Sequence, residues 1–335
     1  MKQLYIFLAF IILSLSANAQ DVRFSDFYEA PLLLNPGNAG NFEGNWRITN
    51  HYRRQGINTD DPYITKLLTF EHPLYFLNER VAGGLSYVND VSGYGMLKVN
   101  KLHASLAYFK KISQKSYLHA GFQAGLVHKR FSIDGISFPD QYDITTGYYN
   151  SNLSSQEALN NQKSIYLDLS WGLLWSRRGE RVQTEAGIAM FHYNRPEETF
   201  FGEGEHLPIR WAMHIYPDIK INASYFLEPK ALYVYQDGAS ELLFGSDITY
   251  RARDAELFKA AFVGAYFRGG FNRSADIAII KVGAKLGDFH LSLAFDKELK
   301  GAQTGIHTKE AFEFSVMYVA PLTKLDKRII PCELF

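Results

Sequence analysis

The chain has 335 residues, with 35 Lys+Arg balanced by 35 Asp+Glu, one Cys and an aromatic share of 15%. Balanced charge without long basic runs excludes an electrostatic nucleic-acid binder, and a single Cys excludes an intrachain disulfide framework. An apolar share of 47% excludes a disordered chain, and the 21 Tyr, 25 Phe and 4 Trp favour strands and membrane–water interfaces.

The chain begins with Met1-Lys2, an apolar run from Leu4 to Leu15, and the small-residue site Ser16-Ala17-Asn18-Ala19. This order predicts a secretory signal peptide over residues 1–19. The apolar run is too short for a spanning helix, which needs about 20 residues. The remainder, residues 20–335, reads either as soluble outside the inner membrane or, on the alternation described below, as one outer-membrane β-barrel domain. Within it, 20–45 is an N-terminal segment, 46–320 carries strands and loops, and 321–335 is a C-terminal tail.

In Leu32-Leu33-Leu34-Asn35-Pro36-Gly37-Asn38-Ala39-Gly40, the Asn-Pro pair and the glycines favour a turn. The segment is expected in or under the lumen. It would be either a plug or docking peptide near the periplasmic rim, or a tight turn that seats the N-terminus inside.

From Trp46 onward the pattern has period two. Leu118, Ala120, Phe122, Ala124 and Leu126 alternate with His119, Gly121, Gln123 and Gly125. Ile165, Leu167, Leu169, Trp171, Leu173 and Trp175 alternate with mostly small or polar residues, over a length that suits a tilted membrane strand of about 9–11 residues. The same alternation is read over Ile219 to Leu227, Ala278 to Leu286, Phe289 to Phe295 and Phe312 to Ala320. Ser113-Gln114-Lys115 and Gly287-Asp288 read as short turns, and 136–162 and 194–207 as large loops, with a helical turn expected at Ser155 to Leu159. The pattern predicts an all-β fold, a transmembrane antiparallel β-barrel of about 14 strands within a range of 12 to 16.

The non-apolar face carries Asp168, Lys281, Lys285, His290, Asp296 and Glu313, with His119, Gln123 and Ser170. A Lys or Arg facing lipid costs about 2–4 kcal/mol near the midplane, so these side chains are expected to face the lumen. They form either a solute pathway or a core of paired polar groups. The sequence contains no G-x-S-x-G elbow, no H-x-H pair and no H-E-x-x-H motif. Asp60-Asp61 beside Asn58 lacks EF-hand spacing and reads as a solvated turn. The protein is therefore expected to be non-enzymatic, with no cofactor, no metal and no nucleic-acid partner.

Several blocks, in order, resemble the PorP/SprF family of outer-membrane proteins. The start Gln20-Asp21-Val22-Arg23-Phe24-Ser25-Asp26-Phe27 leads into Leu34-Asn35-Pro36-Gly37-Asn38-Ala39-Gly40. Asn50-His51-Tyr52-Arg53-Arg54-Gln55 and Gly83-Gly84-Leu85-Ser86-Tyr87-Val88-Asn89-Asp90 follow. Gly121-Phe122-Gln123-Ala124-Gly125, Phe138-Pro139-Asp140-Gln141-Tyr142, Leu207-Pro208-Ile209-Arg210 and Pro331-Cys332-Glu333-Leu334-Phe335 complete the set. Gly37 stands where the family usually has Ala, and Glu333-Leu334 where it usually has Pro-Arg.

The resemblance implies a type IX secretion and gliding-motility component in the cell outer membrane. Its partners would be outer-membrane lipid, parts of the periplasmic machinery, and secreted cargo with a type B C-terminal domain, often a large adhesin. The family-motif residues carried over are Asn35, Pro36, Gly40, Arg53, Asp90, Pro139, Asp140, Gln141, Pro208, Arg210, Pro331, Cys332 and Phe335, in structural or docking roles. Tyr142, Tyr148, Tyr149 and Asn150 in the long loop are the candidate cargo contacts, being residue types that interfaces favour. The alternative function is a channel or transporter for small or hydrophobic solutes.

Overall fold

Fourteen strands close on themselves in a computed structural model of the chain. It describes residues 23–57, 59, 61–76, 79–92, 97–132, 139–144, 146–150, 153, 162–198, 205–253, 255–270, 276–299 and 310–322. The barrel strands are β1 (Arg47–Gln55), β2 (Tyr63–Phe76), β3 (Glu79–Ser92), β4 (Leu97–Ser113), β5 (Ser116–Phe131), β6 (Gln162–Arg178) and β7 (Val182–Phe191). They continue as β8 (Arg210–Lys220), β9 (Tyr225–Gln236), β10 (Ala239–Arg251), β11 (Phe258–Gly270), β12 (Ile277–Leu286), β13 (Phe289–Glu298) and β14 (Ala311–Val319). Each pairs antiparallel with the next, and β14 returns to β1 in register from Arg47↔Val319 to Gln55↔Ala311. No described helix is long and apolar enough to cross a membrane.

Alternation sets the two faces. In β4, Lys101, His103, Ser105, Ala107 and Phe109 are buried in the interior, while Leu102, Leu106 and Tyr108 are exposed on the outside. The outer face repeats this apolar character around the barrel with Leu126, Leu167, Ile248, Val263 and Ile280. Trp46 packs against Phe70 and Tyr318, and Phe289 against Tyr318, forming part of an aromatic girdle at one end.

That end also holds the tight turns at Gln114-Lys115 and Gly287-Asp288 and the short links after β6 and β8. The long connections after β5 and β7 lie at the other end. Short turns mark the periplasmic side of such barrels and long loops the extracellular side. The expected signal peptide, the turn expected at Ser155 to Leu159, residues Asn58 and Asp60, and Pro331, Cys332 and Phe335 lie outside the described residues.

One alternation misled. Ile219 to Leu227 is not a continuous strand: β8 ends at Lys220 and β9 begins at Tyr225. The Asn222 side-chain oxygen accepts the backbone N–H groups of Ser224 and Tyr225 at 2.9 and 3.0 Å. This local bonding makes a turn inside an apolar-polar pattern.

The β8–β9 seam has a gap. Pairing runs from Arg210↔Gln236 to Ile215↔Ala231, then resumes at Ile219↔Leu227. In this register Pro217 faces Pro229. Both remain in step with their other neighbours, at Pro217↔Thr184 and Pro229↔Ser246. Each proline therefore turns its missing donor toward the other, and the pair forfeits both ladder bonds.

Candidate functional site

A barrel of this strand number is too wide to be filled by its own side chains. Here the chain fills it with its own N-terminal segment. Residues 23–46 form a strap through the lumen, built from a 3-10 turn at Phe27–Glu29, one helical turn at Pro31–Leu34 and a 3-10 turn at Pro36–Asn38. Arg23 pairs with Glu241 at 3.0 Å, close to the extracellular end of β10. Asn45 donates to the Ala320 carbonyl at 2.8 Å, at the periplasmic end. The strap thus runs down the barrel before turning into β1.

Two ionic knots hold its upper part. In the first, the Ser25 and Asp26 backbone N–H groups donate to the two oxygens of Glu313, at 2.7 and 2.9 Å. The Ser25 hydroxyl donates to Asp296 at 2.6 Å. Arg53 reaches both Asp296, at 3.0 Å, and Glu313, while Arg268 donates to Asp296 and to the Ser25 hydroxyl at 3.0 Å each. His51 bonds Glu313 at 3.2 Å and stacks on Phe24 at 4.0 Å. In the second knot, Lys281 pairs with Asp26 at 2.7 Å and Glu29 at 3.5 Å. Lys230 pairs with Asp247 at 2.7 Å, and His290 lies 3.4 Å from Glu29. Buried charges of this kind require such partners, because an unpaired one carries several kcal/mol of desolvation penalty.

The lower strap is seated by glycines. Asn35 is fully buried; its side-chain amide donates to the Leu173 and Ile188 carbonyls at 3.0 and 3.3 Å, while its oxygen accepts Gly37 N–H at 2.8 Å. The interior positions opposite are Gly121, Gly172 and Gly187. A Cβ on Gly172 would stand 1.9 Å from the Asn35 oxygen, and one on Gly121 2.3 Å from the Gly37 nitrogen. Lower still, Gly40 takes a positive φ of 69°, which favours glycine, and donates to Glu71 at 3.0 Å. Arg47 holds Glu71 through two hydrogen bonds, and Arg80 donates to the Gly40 carbonyl at 2.8 Å.

Apolar contacts complete the seat. Phe27 and Leu34 pack against Leu243, Ile277, Ile279 and Ala294 of the wall. Leu32 and Ala39 pack against Ala82, Ala107 and Phe109. The interior is therefore a mixture of ion pairs and apolar patches, not a purely polar surface. Cavities of about 20 and 50 Å³ lie on the extracellular side of the strap. The larger is lined by Phe24, Phe27, Leu33, Leu34, Leu232 and Val234, among others.

The sequence-derived residues fall into distinct places. Asn35, Pro36 and Gly40 are strap residues, and Arg53, Asp296, Glu313 and Lys281 are its anchors. Asp168 is buried beside His192 at 2.9 Å, apart from those knots. Lys285 shares the interior alternation but is exposed at the periplasmic end. Asp90 accepts from Thr65 at 2.5 Å, Pro208 accepts from Gln236 at 3.2 Å, and Arg210 covers the Phe191 ring at 4.1 Å. Pro139, Asp140 and Gln141 form a 3-10 turn in the long loop, where Gln141 donates to the Leu153 carbonyl at 2.9 Å. Next to it, Tyr142 and Asp143 pair with Tyr149 and Tyr148 in a small hairpin, and Asn150 donates to the Gln141 carbonyl at 2.9 Å. Glu29, Lys230, Asp247 and Arg268 carry no sequence signal, and Ser25 and Asp26 enter the sequence reading only as part of the N-terminal block. The interior glycines of β5, β6 and β7 were the signal that something crosses there.

The description "Type IX secretion system membrane protein PorP/SprF" belongs to the family that matches residues 16–318. The chain belongs to the PorP/SprF family. Among solved structures, it is similar to the CymD monoaromatic hydrocarbon channel, at TM-score 0.53 and 11% identity over 88% of this chain and 94% of that one. A deltaS2 mutant of the TodX monoaromatic hydrocarbon channel gives TM-score 0.50 and 8% identity over 86% and 93%. A Pseudomonas aeruginosa FadL homologue gives 0.45 and 11% over 85% and 92%. At such identities the likeness to the first two shows the outer-membrane barrel fold alone. Comparison with curated protein sequences gave no match. This PorP/SprF protein is thus an outer-membrane barrel of the type IX secretion system, with a strap in its lumen.

Proposed function

We propose that this PorP/SprF protein is a non-enzymatic anchor that supports secretion of cargo with a type B C-terminal domain and holds it at the cell surface, large adhesin-like proteins included. The observation carrying this reading is the small hairpin in the long extracellular connection of a barrel whose lumen the strap fills. Tyr148 is 77% exposed and Ile144 is 89% exposed, with Tyr142 and Tyr149 packed edge to face at 5.3 Å beside them. Exposed aromatic and aliphatic side chains on a braced hairpin suit protein contact. The hairpin is braced by a positive φ of 74° at Gly147, whose N–H donates to the Asp143 carbonyl at 2.8 Å.

The test replaces residues 142–149 with a short Gly-Ser linker and follows cargo by fractionation. Cargo moves into the medium while the barrel keeps its normal outer-membrane level. Cargo retained on the cells at the parental level would overturn the loop assignment. A solute conduit is the weaker reading, because the strap occupies the lumen; ion conductance of the purified parent protein in planar bilayers would favour it.

A further inference from the structure

The periplasmic rim carries several cations that neither the strap nor the lumen uses. Three successive links build it: Gln114-Lys115 between β4 and β5, 179–181 between β6 and β7, and 221–224 between β8 and β9. Backbone bonds knit them together, since Arg178 N–H donates to the Lys115 carbonyl and Lys220 N–H to the Arg181 carbonyl, both at 2.8 Å. Some charges in this rim are matched: Lys110 with Glu79 at 3.1 Å, Lys115 with Glu180 at 3.4 Å, and Arg178 with Glu43 at 2.6 Å. Lys111, Arg177, Arg181 and Lys220 are exposed and have no carboxylate partner among the described residues.

Strand alternation sorts these four. Arg177 follows Trp175 on the outer face, so it lies at the level where lipid headgroups meet the aromatic girdle. Lys111 continues the interior set of Ala107 and Phe109, and Lys220 the interior set of His214 and Asp218. Both are nevertheless exposed, because they lie at strand ends beyond the packed lumen. Arg181 lies in the link between them. Lys111 and Lys220 therefore border the periplasmic mouth, away from the bilayer, and Arg181 is exposed in the link at the same end.

We propose that Lys111, Arg181 and Lys220 form a docking face for an acidic surface of a periplasmic protein. This rests on the reading of the barrel as a secretion component and adds to it the face turned toward the rest of the machinery. Exposed like charges spread along one rim raise the potential there, which speeds encounter with an anionic partner and rejects cationic ones.

The experiment places a photo-crosslinking residue at Gln114, an exposed neutral position in the turn, in the full chain in native outer membranes. A covalent adduct with an acidic periplasmic protein, identified by mass spectrometry, is expected. The adduct falls at least tenfold in K111E/R181E/K220E and stays within twofold of the parent in R177E. Heat-modifiable migration of each variant checks that the barrel is folded, and the single reversals serve if the triple variant is not. An adduct that survives the triple reversal, a basic partner, or adducts with phospholipid alone would overturn the proposal. The loop replacement described above leaves this adduct in place, so failure of the cargo reading and failure of this one give different results.

Discussion

The glycine seat of the strap offers a sharp test of whether the lumen is closed by residues 35–38. In Gly172→Ala the new Cβ would lie 1.9 Å from the Asn35 side-chain oxygen, and in Gly121→Ala 2.3 Å from both the Pro36 carbonyl carbon and the Gly37 nitrogen. Asn35 cannot simply swing away, because three hydrogen bonds fix its side chain, to Leu173, Ile188 and Gly37. Losing them costs about 0.5–1.5 kcal/mol each, and overpacking adds about 1–3 kcal/mol. The seat is then weaker by roughly 2.5–7.5 kcal/mol, each 1.4 kcal/mol being about tenfold in occupancy. Gly121 and Gly172 are paired across β5 and β6, and a methyl group on either leaves that ladder intact. The double variant should therefore migrate as a folded barrel, conduct ions in planar bilayers, and expose the strap to protease. Gly83→Ala is the control, since its Cβ would meet nothing within 4 Å. Should G121A/G172A prove as silent and as protease-resistant as G83A, the strap is not what closes the barrel.

Other consequences follow from the ion knots and the proline seam. Arg53→Ala leaves Asp296 and Glu313 with less of their compensating charge, and breaking a buried pair in this way costs about 3–5 kcal/mol. Its unfolding midpoint in denaturant, read by heat-modifiable migration, should fall clearly; an unchanged midpoint would show that the knot adds nothing. In P217V/P229V both missing donors return, and each restored bond is worth about 0.5–1.5 kcal/mol. Amide exchange at Tyr216, Asp218, Glu228 and Lys230 should slow relative to the parent. Unaltered exchange would mean that the seam is held apart by something other than the prolines.

The barrel itself was legible because alternation over long strands leaves few alternatives. The faces of β6, with Ile165, Leu167 and Leu173 outside and Asp168 and Ser170 inside, follow from period two alone. The failure at Asn222 has a local cause: a side-chain oxygen took over two backbone donors where the apolar pattern ran on. The strap was foreseen as a segment in or under the lumen, but its contacts were not. Glu313 meets Ser25 and Asp26 across more than half the chain, and no spacing rule links residues so far apart. Lys285 shows the limit of the inward argument. Parity gives the direction of a side chain, whereas its height in the barrel decides whether it reaches the packed lumen or the water at the rim.

The composition of the interior also bears on whether this barrel is a conduit or a support. A water-filled pore keeps its inner wall polar. Here Leu243, Ile277, Ile279 and Ala294 face inward as one patch, and Phe27 and Leu34 cover it. Ala82, Ala107 and Phe109 form a second patch, covered by Leu32 and Ala39. With the strap withdrawn, both patches would stand in water at about 25 cal/mol for each Å² exposed. The wall is therefore matched to an occupied lumen, and the ionic knots fix the register in which the strap fills it. Held in that register, the strap spans the lumen from Arg23, near the extracellular end, to Asn45 at the periplasmic end. An inner wall covered in this way suits the anchor proposed above better than it suits a conduit.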